Sequence, residues 1–255
     1  MTQPIVDDLY CGLGGWADGF LAEGYRVRGY DIEAHDYGTG GYPGELCIRD
    51  VRSMHGSELK DATIIVGSSP CQEFSYRAMP WKRAKALPPP YLGMELFNAQ
   101  FRIQREASEA AGRYIPLIVE NVRGAQKWVG RARWNYGSFY LWGDVPALMP
   151  VALKGAMKGC VGTVNGSGKR REQSLWDRVF TGQKLPGNNA PRMWSERRVQ
   201  RLADGLRQYE EDSFYCASSG SKARKAASAM IAKIPFPLAV HIAKCFKPKE
   251  SEAVA

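Results

Sequence analysis

The first 150 residues alternate short apolar runs with longer amphipathic stretches, as strands and helices do when they follow one another. Runs that are rich in β-branched residues and stop at a glycine or an acid predict strands, whereas apolar residues three or four apart predict helices. Strands are predicted at 4–10, 26–30, 62–67, 115–119 and 137–142, and helices at 16–23 and 100–113. This alternation predicts an α/β fold whose parallel sheet is covered by helices on both faces.

The pattern changes after Pro150. Residues 151–220 are rich in Gly, Lys, Arg, Asn and Ser, and only 196–211 has the apolar spacing of a helix. Residues 223–246 are apolar and helical in pattern again, so we expect them to return to the sheet. The sequence therefore predicts three parts: an α/β body at 1–150, an insertion at 151–225, and a C-terminal helix at 226–255 that returns to the body.

Positive charge is concentrated in the insertion. The 255 residues carry a net charge of +9, and residues 151–225 hold 15 Lys or Arg against 7 Asp or Glu, a net of +8. The other 180 residues are close to neutral, at +1. A near-neutral body with a basic appendage is typical of polyanion-binding proteins, so nucleic acid is favoured over the alternative of a basic surface kept for solubility.

Composition excludes several classes of protein. Hydrophobic residues make up 44% of the chain and charged residues 24%, which excludes wholesale disorder. No run of eighteen apolar residues occurs, and the chain opens without a charged-then-apolar leader, so we expect neither a membrane span nor a secretory signal. The six cysteines are scattered without a C-x-x-C pair, which argues against a metal site and a disulfide framework and predicts reduced, cytoplasmic thiols.

A glycine-rich segment, Asp8–Gly15, follows the first predicted strand and opens a helix. Glycines there let a ligand approach the backbone. Asp31 ends the next strand, where a carboxylate can accept both ribose hydroxyls of a nucleoside, and Asp50 ends a third segment, where it can accept an exocyclic adenine amine. The glycine spacing is not G-x-G-x-x-G, which disfavours a dinucleotide. A nucleoside without phosphates, such as S-adenosylmethionine, fits better.

Two reactive residue types follow other predicted strands. Cys71 lies in the segment Gly67–Ser75, just past the buried strand at 62–67, and the polar turn around it favours a nucleophile over an inert buried thiol. Glu120 ends the strand at 115–119. A carboxyl group beside that cysteine can bond a base's ring nitrogen and share a proton with it, although a satisfied edge residue is the alternative.

Taken together, these segments resemble conserved motifs of the DNA cytosine-5 methyltransferases. The similar segments, in the family's order, are Asp8–Gly15, Pro70-Cys71-Gln72 with Phe74 and Ser75, and Glu120-Asn121-Val122. Asp31 and Asp50 fall where the family has cofactor-contacting acids, and 232–239 resembles its last motif, a helix that completes the cofactor pocket. The resemblance implies a Rossmann-like S-adenosylmethionine-dependent methyltransferase sheet with helices on both faces in 1–150, and a small basic target-recognition region at 151–225.

The resemblance also implies roles for individual residues. Catalytic roles fall on Cys71, Glu120 and Arg133; the family's base-contacting arginine motif is not present in clear form, and 130–133 or the strand at 138–140 stands in its place. Cofactor contacts are implied for Tyr10, Gly12, Leu13, Gly14, Gly15, Asp31, Ile32, Asp50, Val51, Ser68 and Pro70. Contacts to DNA are expected from Gln72, Ser75, Arg77, Lys82, Arg83, Lys169, Arg170, Arg171, Arg197, Arg198 and Arg201.

The activity that the resemblance implies is methylation of cytosine at C5. Addition of Cys71 to C6 makes C5 nucleophilic, and Glu120 holds N3 while the methyl group is transferred. The base must first be flipped out of duplex DNA. Residues 76–85 mix aromatic and cationic side chains, which favours a mobile loop that closes over the DNA rather than an ordinary surface loop.

Three alternatives remain. An RNA cytosine-5 methyltransferase would share the fold, but the family's tRNA-methylating branch usually has Thr where this chain has Ser75, which favours DNA. A catalytically idle DNA-binding homologue is disfavoured because Cys71 and Glu120 are intact. An NAD-type dehydrogenase lacks its glycine fingerprint. The compact size is similar to phage or prophage members of the family, so we expect a monomer that acts on double-stranded DNA in a bacterial or phage-infected cell, with restriction-modification as one setting.

Overall fold

The computed structural model describes residues 3–36, 40–75, 88–150, 229 and 232–248. Those up to His35, from Tyr42 to Pro150, and from Ile234 onward form one compact unit, which contains the sheet and the helices packed on it. The other described residues belong to a second unit. The insertion at 151–225, the helix predicted at 196–211 and the loop at 76–85 lie outside the described residues.

The secondary structure alternates between strands and helices. The strands are β1 (Ile5–Leu9), β2 (Arg26–Asp31), β3 (Glu45–Ile48), β4 (Ile64–Ser68), β5 (Leu117–Asn121), β6 (Trp134–Tyr136) and β7 (Phe139–Gly143). The α-helices whose bounds lie in the described residues are α1 (Gly15–Ala22), α2 (Tyr91–Ala111), α3 (Gln126–Val129) and α4 (Phe236–Phe246). Short 3-10 turns span Val51–Ser53, Gly56–Leu59, Gln72–Phe74 and Arg123–Ala125.

Within the described residues, seven strands form one sheet in the order β3-β2-β1-β4-β5-β7-β6. The first five strands of this order pair in parallel, and β7 runs antiparallel to both β5 and β6. The carboxyl ends of β1, β2, β4 and β5 therefore meet at one edge. The strand order reverses between β1 and β4, and ligands of open α/β sheets bind at such a switch point.

Both faces of the sheet are buried, because successive strand residues point to opposite sides. Leu9, Ile65 and Val119 pack in one core with Phe97 and Ile103 of α2. The strand residues whose side chains point to the opposite face are also fully buried; these are Val6, Ile64, Val66 and Ile118. The opposite face is therefore covered as well.

Helices α1 and α4 pack against each other. A Cβ added at Gly19 would lie 2.4 Å from the Cβ of Ala239, so the two helices approach closely at a glycine. The Tyr25 hydroxyl donates to the carbonyl oxygen of Ala243 at 3.0 Å. Helix α1 also contacts β1 and β2. Since the core beneath α2 contains no described residue of α1 or α4, these two helices cover the other face.

The predicted fold class, a Rossmann-like methyltransferase sheet with helices on both faces, is confirmed by this architecture. The sheet is not wholly parallel as predicted, because β7 is antiparallel to its neighbours. Strands β3 and β6 were not predicted. Both lie at the edges of the sheet and are largely exposed, so they lack the apolar run that marks a buried strand.

Helix α2 begins at Tyr91, nine residues before its predicted start. The early start depends on a tertiary contact, because a carboxylate oxygen of Glu73 accepts the Gly93 N–H at 2.7 Å and satisfies a donor of the first turn. Of the C-terminal helix predicted at 223–246, α4 covers Phe236–Phe246, and the prediction of one continuous helix is wrong because Pro235, directly before α4, is extended. Residues 223–228, 230 and 231 lie outside the described part.

Candidate active site

The glycine-rich segment forms a tight turn between β1 and α1. Tyr10, Gly12 and Gly14 have positive φ angles of 57°, 49° and 70°, a backbone region that favours glycine. A Cβ added at Gly12 would meet nothing within 4 Å, so this side of the turn faces open space that a ligand can enter. Gly15 is packed instead, because its added Cβ would lie 2.4 Å from the backbone nitrogen of Ile234.

Asp31 lies beside this turn at the end of β2. One carboxylate oxygen accepts the Gly12 N–H at 2.9 Å, and the other accepts the Ile32 N–H at 2.8 Å. The Nε2 atom of His35 lies 3.4 Å from Oδ1. A carboxylate has about four acceptor positions, so Asp31 retains acceptors for the hydroxyls of a ribose. The open turn and this carboxylate fit a nucleoside cofactor.

Apolar side chains lie near the same turn. Ile32 is 67% exposed directly after Asp31, which leaves its side chain available to a flat ring such as adenine. The Tyr10 hydroxyl donates to the carbonyl oxygen of Leu96 at 3.0 Å, which ties the turn to α2. Pro70, also predicted to contact the cofactor, is exposed in the loop after β4.

Asp50 lies at the start of the 3-10 turn after β3, and its carboxylate is already paired. Arg52 donates to both of its oxygens, at 3.1 Å from Nε and 2.8 Å from Nη2 to Oδ2, and at 3.2 Å from Nε to Oδ1. These bonds lower the pKa of Asp50. Leu13 and Val51 are buried, so they would reach a cofactor mainly through their backbone atoms.

Cys71 lies in the loop after β4, and this loop is tied to the end of β5. The Nδ2 atom of Asn121 donates to the carbonyl oxygen of Ser69 at 3.0 Å and to its hydroxyl at 3.1 Å. Both residues are buried. A further close contact joins the following turns, since a Cβ added at Gly124 would lie 2.0 Å from the carbonyl oxygen of Phe74. The loops after β4 and β5 therefore form one packed unit.

Glu120 lies on β5 directly opposite Ser68 of β4. Its side chain is buried, and burial raises the pKa of this carboxyl group to about 8, although a hydrogen bond from Ser68 acts in the opposite direction. Glu120 is therefore mostly neutral at pH 7. A neutral carboxyl group can donate a hydrogen bond to a ring nitrogen, which a carboxylate cannot do.

Cys71 and Glu120 are electrostatic neighbours. Burial, and after it the negative charge of ionised Glu120, raises the pKa of the Cys71 thiol to about 11. The charge effect disappears when Glu120 is protonated, so Glu120 opposes ionisation of the thiol mainly above pH 8. The structure thus brings together a thiol and a neutral carboxyl group at the carboxyl ends of two adjacent strands.

Other predicted site residues have different placements. Gln72 is exposed in the 3-10 turn after Cys71, and Ser75, which follows that turn, is half-buried. Arg133 is exposed, and its positive charge partly offsets the rise in the pKa of Tyr114. Its backbone N–H donates to the carbonyl oxygen of Leu141, the register partner of Glu120 on β7. The catalytic role of Arg133 stays a prediction. The predicted DNA contacts outside the described residues are Arg77, Lys82, Arg83, Lys169, Arg170, Arg171, Arg197, Arg198 and Arg201.

Tyr42 is a residue of the site that sequence reasoning missed. Its hydroxyl donates to Oδ2 of Asp8 at 3.2 Å, and a Cβ added at Gly29 would lie 2.4 Å from its ring. Burial raises the pKa of Asp8 well above its ordinary value. Tyr42 and Asp8 are 34 residues apart, so no local pattern reveals the contact. The sequence signals this packing only through two glycines. A side chain at Gly29 would meet Tyr42, and a side chain at Gly14 would meet Pro43.

No protein-family model matches the sequence, and no curated protein matches it. A crystal structure described as a candidate DNA modification methyltransferase encoded within an E. coli prophage is 23% identical over 50% of this chain and 34% of its own, with a TM-score of 0.34. S. pombe Dnmt2 methyltransferase is 15% identical over 49% and 36%, with a TM-score of 0.34. Entamoeba histolytica methyltransferase EhMeth is 14% identical over 50% and 40%, with a TM-score of 0.34. The matched part spans about a third to two fifths of these proteins.

The order of the sheet and its antiparallel β7 define a Rossmann-like α/β protein of the methyltransferase fold.

In the described part of the chain, no helix is long and apolar enough to cross a membrane. Among the same residues, no three or more His, Cys, Asp or Glu side chains are grouped so that they could hold a metal ion.

Proposed function

We propose that this chain is a DNA cytosine-5 methyltransferase that uses S-adenosylmethionine. One observation carries the proposal: Cys71 and Glu120, a thiol and a neutral carboxyl group, are neighbours at the carboxyl ends of β4 and β5. The open glycine-rich turn after β1 lies at the same edge, at the switch point of the sheet. A nucleophile, a proton donor and a nucleoside-compatible turn are the groups that this reaction needs.

The residues around the turn would hold the cofactor. Asp31 would accept hydrogen bonds from the ribose hydroxyls, Ile32 and Tyr10 would contact the adenine, and the turn at Gly12 would admit the rest of the molecule. Asp50 would accept the exocyclic amine in exchange for one of the four hydrogen bonds that Arg52 donates to its carboxylate. When bound, S-adenosylmethionine supplies an electrophilic methyl group.

Cys71 and Glu120 would activate the cytosine. C5 of cytosine is a poor nucleophile, and a bond from the Cys71 sulfur to C6 would move the electrons of the C5–C6 double bond towards C5 and N3. Glu120 would donate its proton to N3 and so stabilise the charge that develops there. The thiol loses its proton to water or a base as the bond to C6 forms.

The same two residues would complete the reaction. Once C5 carries the methyl group, loss of the C5 proton to water or a base re-forms the C5–C6 double bond and expels Cys71 as a thiolate. Glu120 then takes back the proton from N3. Because Glu120 must donate and then accept one proton, a pKa near the working pH suits both steps.

The rest of the chain would bind and select the nucleic acid. We propose that 1–150 is the catalytic and cofactor-binding part, that the basic segment 151–225 recognises the target site, and that 226–255 completes the body. The charge of +8 in 151–225 supports this division. The cytosine would have to leave the duplex to reach Cys71.

Methylation of DNA in cells tests the proposal. Bisulfite sequencing of DNA from a bacterial host without cytosine methylation should show protected cytosines, in one sequence context, after expression of the full chain. Purified protein should also form a covalent complex with duplex DNA that contains 5-fluorocytosine, because fluorine cannot leave C5 as a proton does.

The Cys71→Ser variant should lose both signals, whereas Cys47→Ser, which removes an exposed thiol of β3, should keep them. A Cys71→Ser variant with normal turnover would overturn the mechanism. Methylation of tRNA without methylation of DNA would favour the RNA-modifying alternative. Neither DNA nor RNA methylation, with intact cofactor binding, would favour an idle homologue.

A further inference from the structure

A buried tryptophan touches the strand that precedes the candidate nucleophile. The Nε1 atom of Trp16 donates to the hydroxyl oxygen of Ser68 at 3.1 Å. Trp16 is 2% exposed and lies in the first turn of α1, directly after the glycine-rich turn. Ser68 is the last residue of β4. The contact therefore joins α1, the helix that follows the glycine-rich turn, to β4, the strand that leads to Cys71.

Ser68 has a second partner across the sheet. It lies opposite Glu120 in the parallel register of β4 and β5, so the two side chains are neighbours on one face of the sheet, and Ser68 acts to lower the pKa of the Glu120 carboxyl group. Trp16, Ser68 and Glu120 are thus successive neighbours at the buried edge of the sheet.

The chemistry of the first partner fixes the role of the Ser68 hydroxyl. An indole N–H can only donate, so the Ser68 oxygen is the acceptor in its bond with Trp16. The single hydroxyl hydrogen of Ser68 is then free to be donated to Glu120. Donation to a carboxyl oxygen stabilises the ionised form over the neutral form, and in this way the hydrogen bond counteracts the effect of burial.

We propose that Ser68, oriented by Trp16, is a positioning residue for Glu120: it holds the carboxyl group by donating its hydroxyl hydrogen, and it connects that group to the helix beside the cofactor turn. This assignment rests on the proposed function for the meaning of Glu120, and it differs from the cofactor contact that the family resemblance implies for Ser68. Without Ser68, the carboxyl group would keep its proton to a higher pH and return it less readily after the reaction.

The other neighbours of Glu120 named here, all within the described residues, carry no charge that would mask the effect of Ser68 on its pKa. Cys71 is the titratable group that faces it, and the thiol is uncharged over the working range. The register partner on β7 is Leu141, and α1 contributes the uncharged indole of Trp16. The Ser68 hydroxyl is therefore the polar group of this part of the chain that acts on the charge of Glu120.

Titration of Glu120 in the free protein tests the proposal. The full chain labelled with ¹³C at glutamate Cδ would be titrated by NMR, with the Glu120 signal assigned by its loss in Glu120→Gln. Ser68→Ala should move the titration midpoint of Glu120 upward by about one pH unit, the effect of one lost hydrogen bond to a charged group. Ser68→Thr, which retains the hydroxyl, should restore the wild-type midpoint.

Trp16 should act only through Ser68. Trp16→Phe should raise the midpoint by less than Ser68→Ala does, because the freed serine can then accept from the neutral carboxyl group as well as donate to it. In the Ser68→Ala background, Trp16→Phe should add no further shift. Ser108→Ala, which removes a half-buried hydroxyl on α2, is the matched control and should leave Glu120 unchanged.

The outcomes separate this proposal from the proposed function. An unchanged or lowered midpoint in Ser68→Ala overturns the positioning role, whether or not the enzyme methylates DNA. Weaker cofactor binding in Ser68→Ala with an unchanged midpoint would make Ser68 a cofactor ligand instead. If wild-type protein methylates no cytosine but the midpoint shifts as expected, the positioning role stands and the proposed reaction fails. Ser68→Ala and Ser68→Thr decide the question even if Trp16→Phe does not fold.

Discussion

The side-chain amide of Asn121 donates two hydrogen bonds to Ser69, one to the carbonyl oxygen at 3.0 Å and one to the hydroxyl at 3.1 Å. Asn121 follows Glu120 directly, and Ser69 precedes Cys71 by two residues. The two candidate reactive groups are therefore held on one buried frame, although Glu120 lies on β5 and Cys71 lies in the loop after β4. Catalysis that depends on their mutual distance should depend on this amide.

The first prediction concerns that frame. Asn121→Ala should leave the buried Ser69 carbonyl without its amide partner, so the free energy of unfolding should fall by about 1–3 kcal/mol. Misplacement of the Cys71 loop should lower kcat about 10- to 100-fold while KM for the cofactor stays the same. Denaturant unfolding and steady-state kinetics measure the two effects. Asn98→Ala, at an exposed position of α2, is the control. A kcat within twofold of wild type would leave Asn121 a purely structural role.

The second prediction concerns cofactor binding. Asp31→Ala removes the acceptor proposed for the ribose hydroxyls and also releases the Gly12 N–H. The affinity for S-adenosylmethionine should fall by about 1–3 kcal/mol, as expected for hydrogen bonds lost from a mostly buried site. Calorimetry measures this change. Glu33→Ala, an exposed acid two residues away, should bind the cofactor normally. Equal affinities of wild type and Asp31→Ala would reject the role of this carboxylate.

The third prediction concerns stability and pH. The pKa of Glu120 rises from its ordinary value of 4.5 to about 8 in the folded protein, so the folded state holds this proton more tightly than the unfolded state does. As pH rises from about 4.5 to 8, the unfolded state ionises first and the folded state loses stability relative to it. Above pH 8 both states are ionised and the loss is complete.

Glu120→Gln cannot ionise and should escape this loss. The variant should gain free energy of unfolding over wild type as pH rises from 5 to 8, by an amount on the order of a few kcal/mol at pH 8. Urea unfolding at pH 5, 6.5 and 8 measures the difference. Glu33→Gln, at an exposed acid, should show no such trend. Parallel pH profiles for wild type and Glu120→Gln would contradict the raised pKa.

The fourth prediction concerns the basic insertion, whose residues lie outside the described part of the chain. Replacement of Lys169, Arg170 and Arg171 by glutamate should weaken DNA binding and lower the slope of log affinity against log salt by about one unit for each lost phosphate contact. Cofactor affinity should hold, since the residues proposed to bind it lie in the body. Lys60→Glu with Arg105→Glu, at exposed positions of the body, is the control. Lost cofactor binding with an unchanged salt slope would refute the proposed division of labour.

The local sequence pattern was enough to predict the strands in the interior of the sheet. Strands β1, β2 and β4 and helix α1 lie within a few residues of their predicted bounds. A strand buried on both faces favours an almost continuous apolar run, which is visible in β4, whereas β1 and β2 also contain charged residues such as Asp7, Asp8 and Arg28. The edge strands β3 and β6 bury little and leave no such run. The antiparallel direction of β7 depends on which strands it pairs with, and the sequence of β7 does not predict these partners.

The candidate site was likewise predictable from the sequence only in part. The sequence by itself determined which residue types follow the strands: the glycines of the turn, Asp31, Cys71 and Glu120 are readable because ligand-binding residues of open α/β sheets follow strand ends. Only the tertiary structure decided which of them meet. Trp16 reaches Ser68, and Asn121 reaches Ser69, each across 52 residues, because the parallel order of β1, β4 and β5 brings their carboxyl ends to one edge. The raised pKa of Glu120 is likewise a product of burial between layers that are distant in sequence, and no local pattern encodes it.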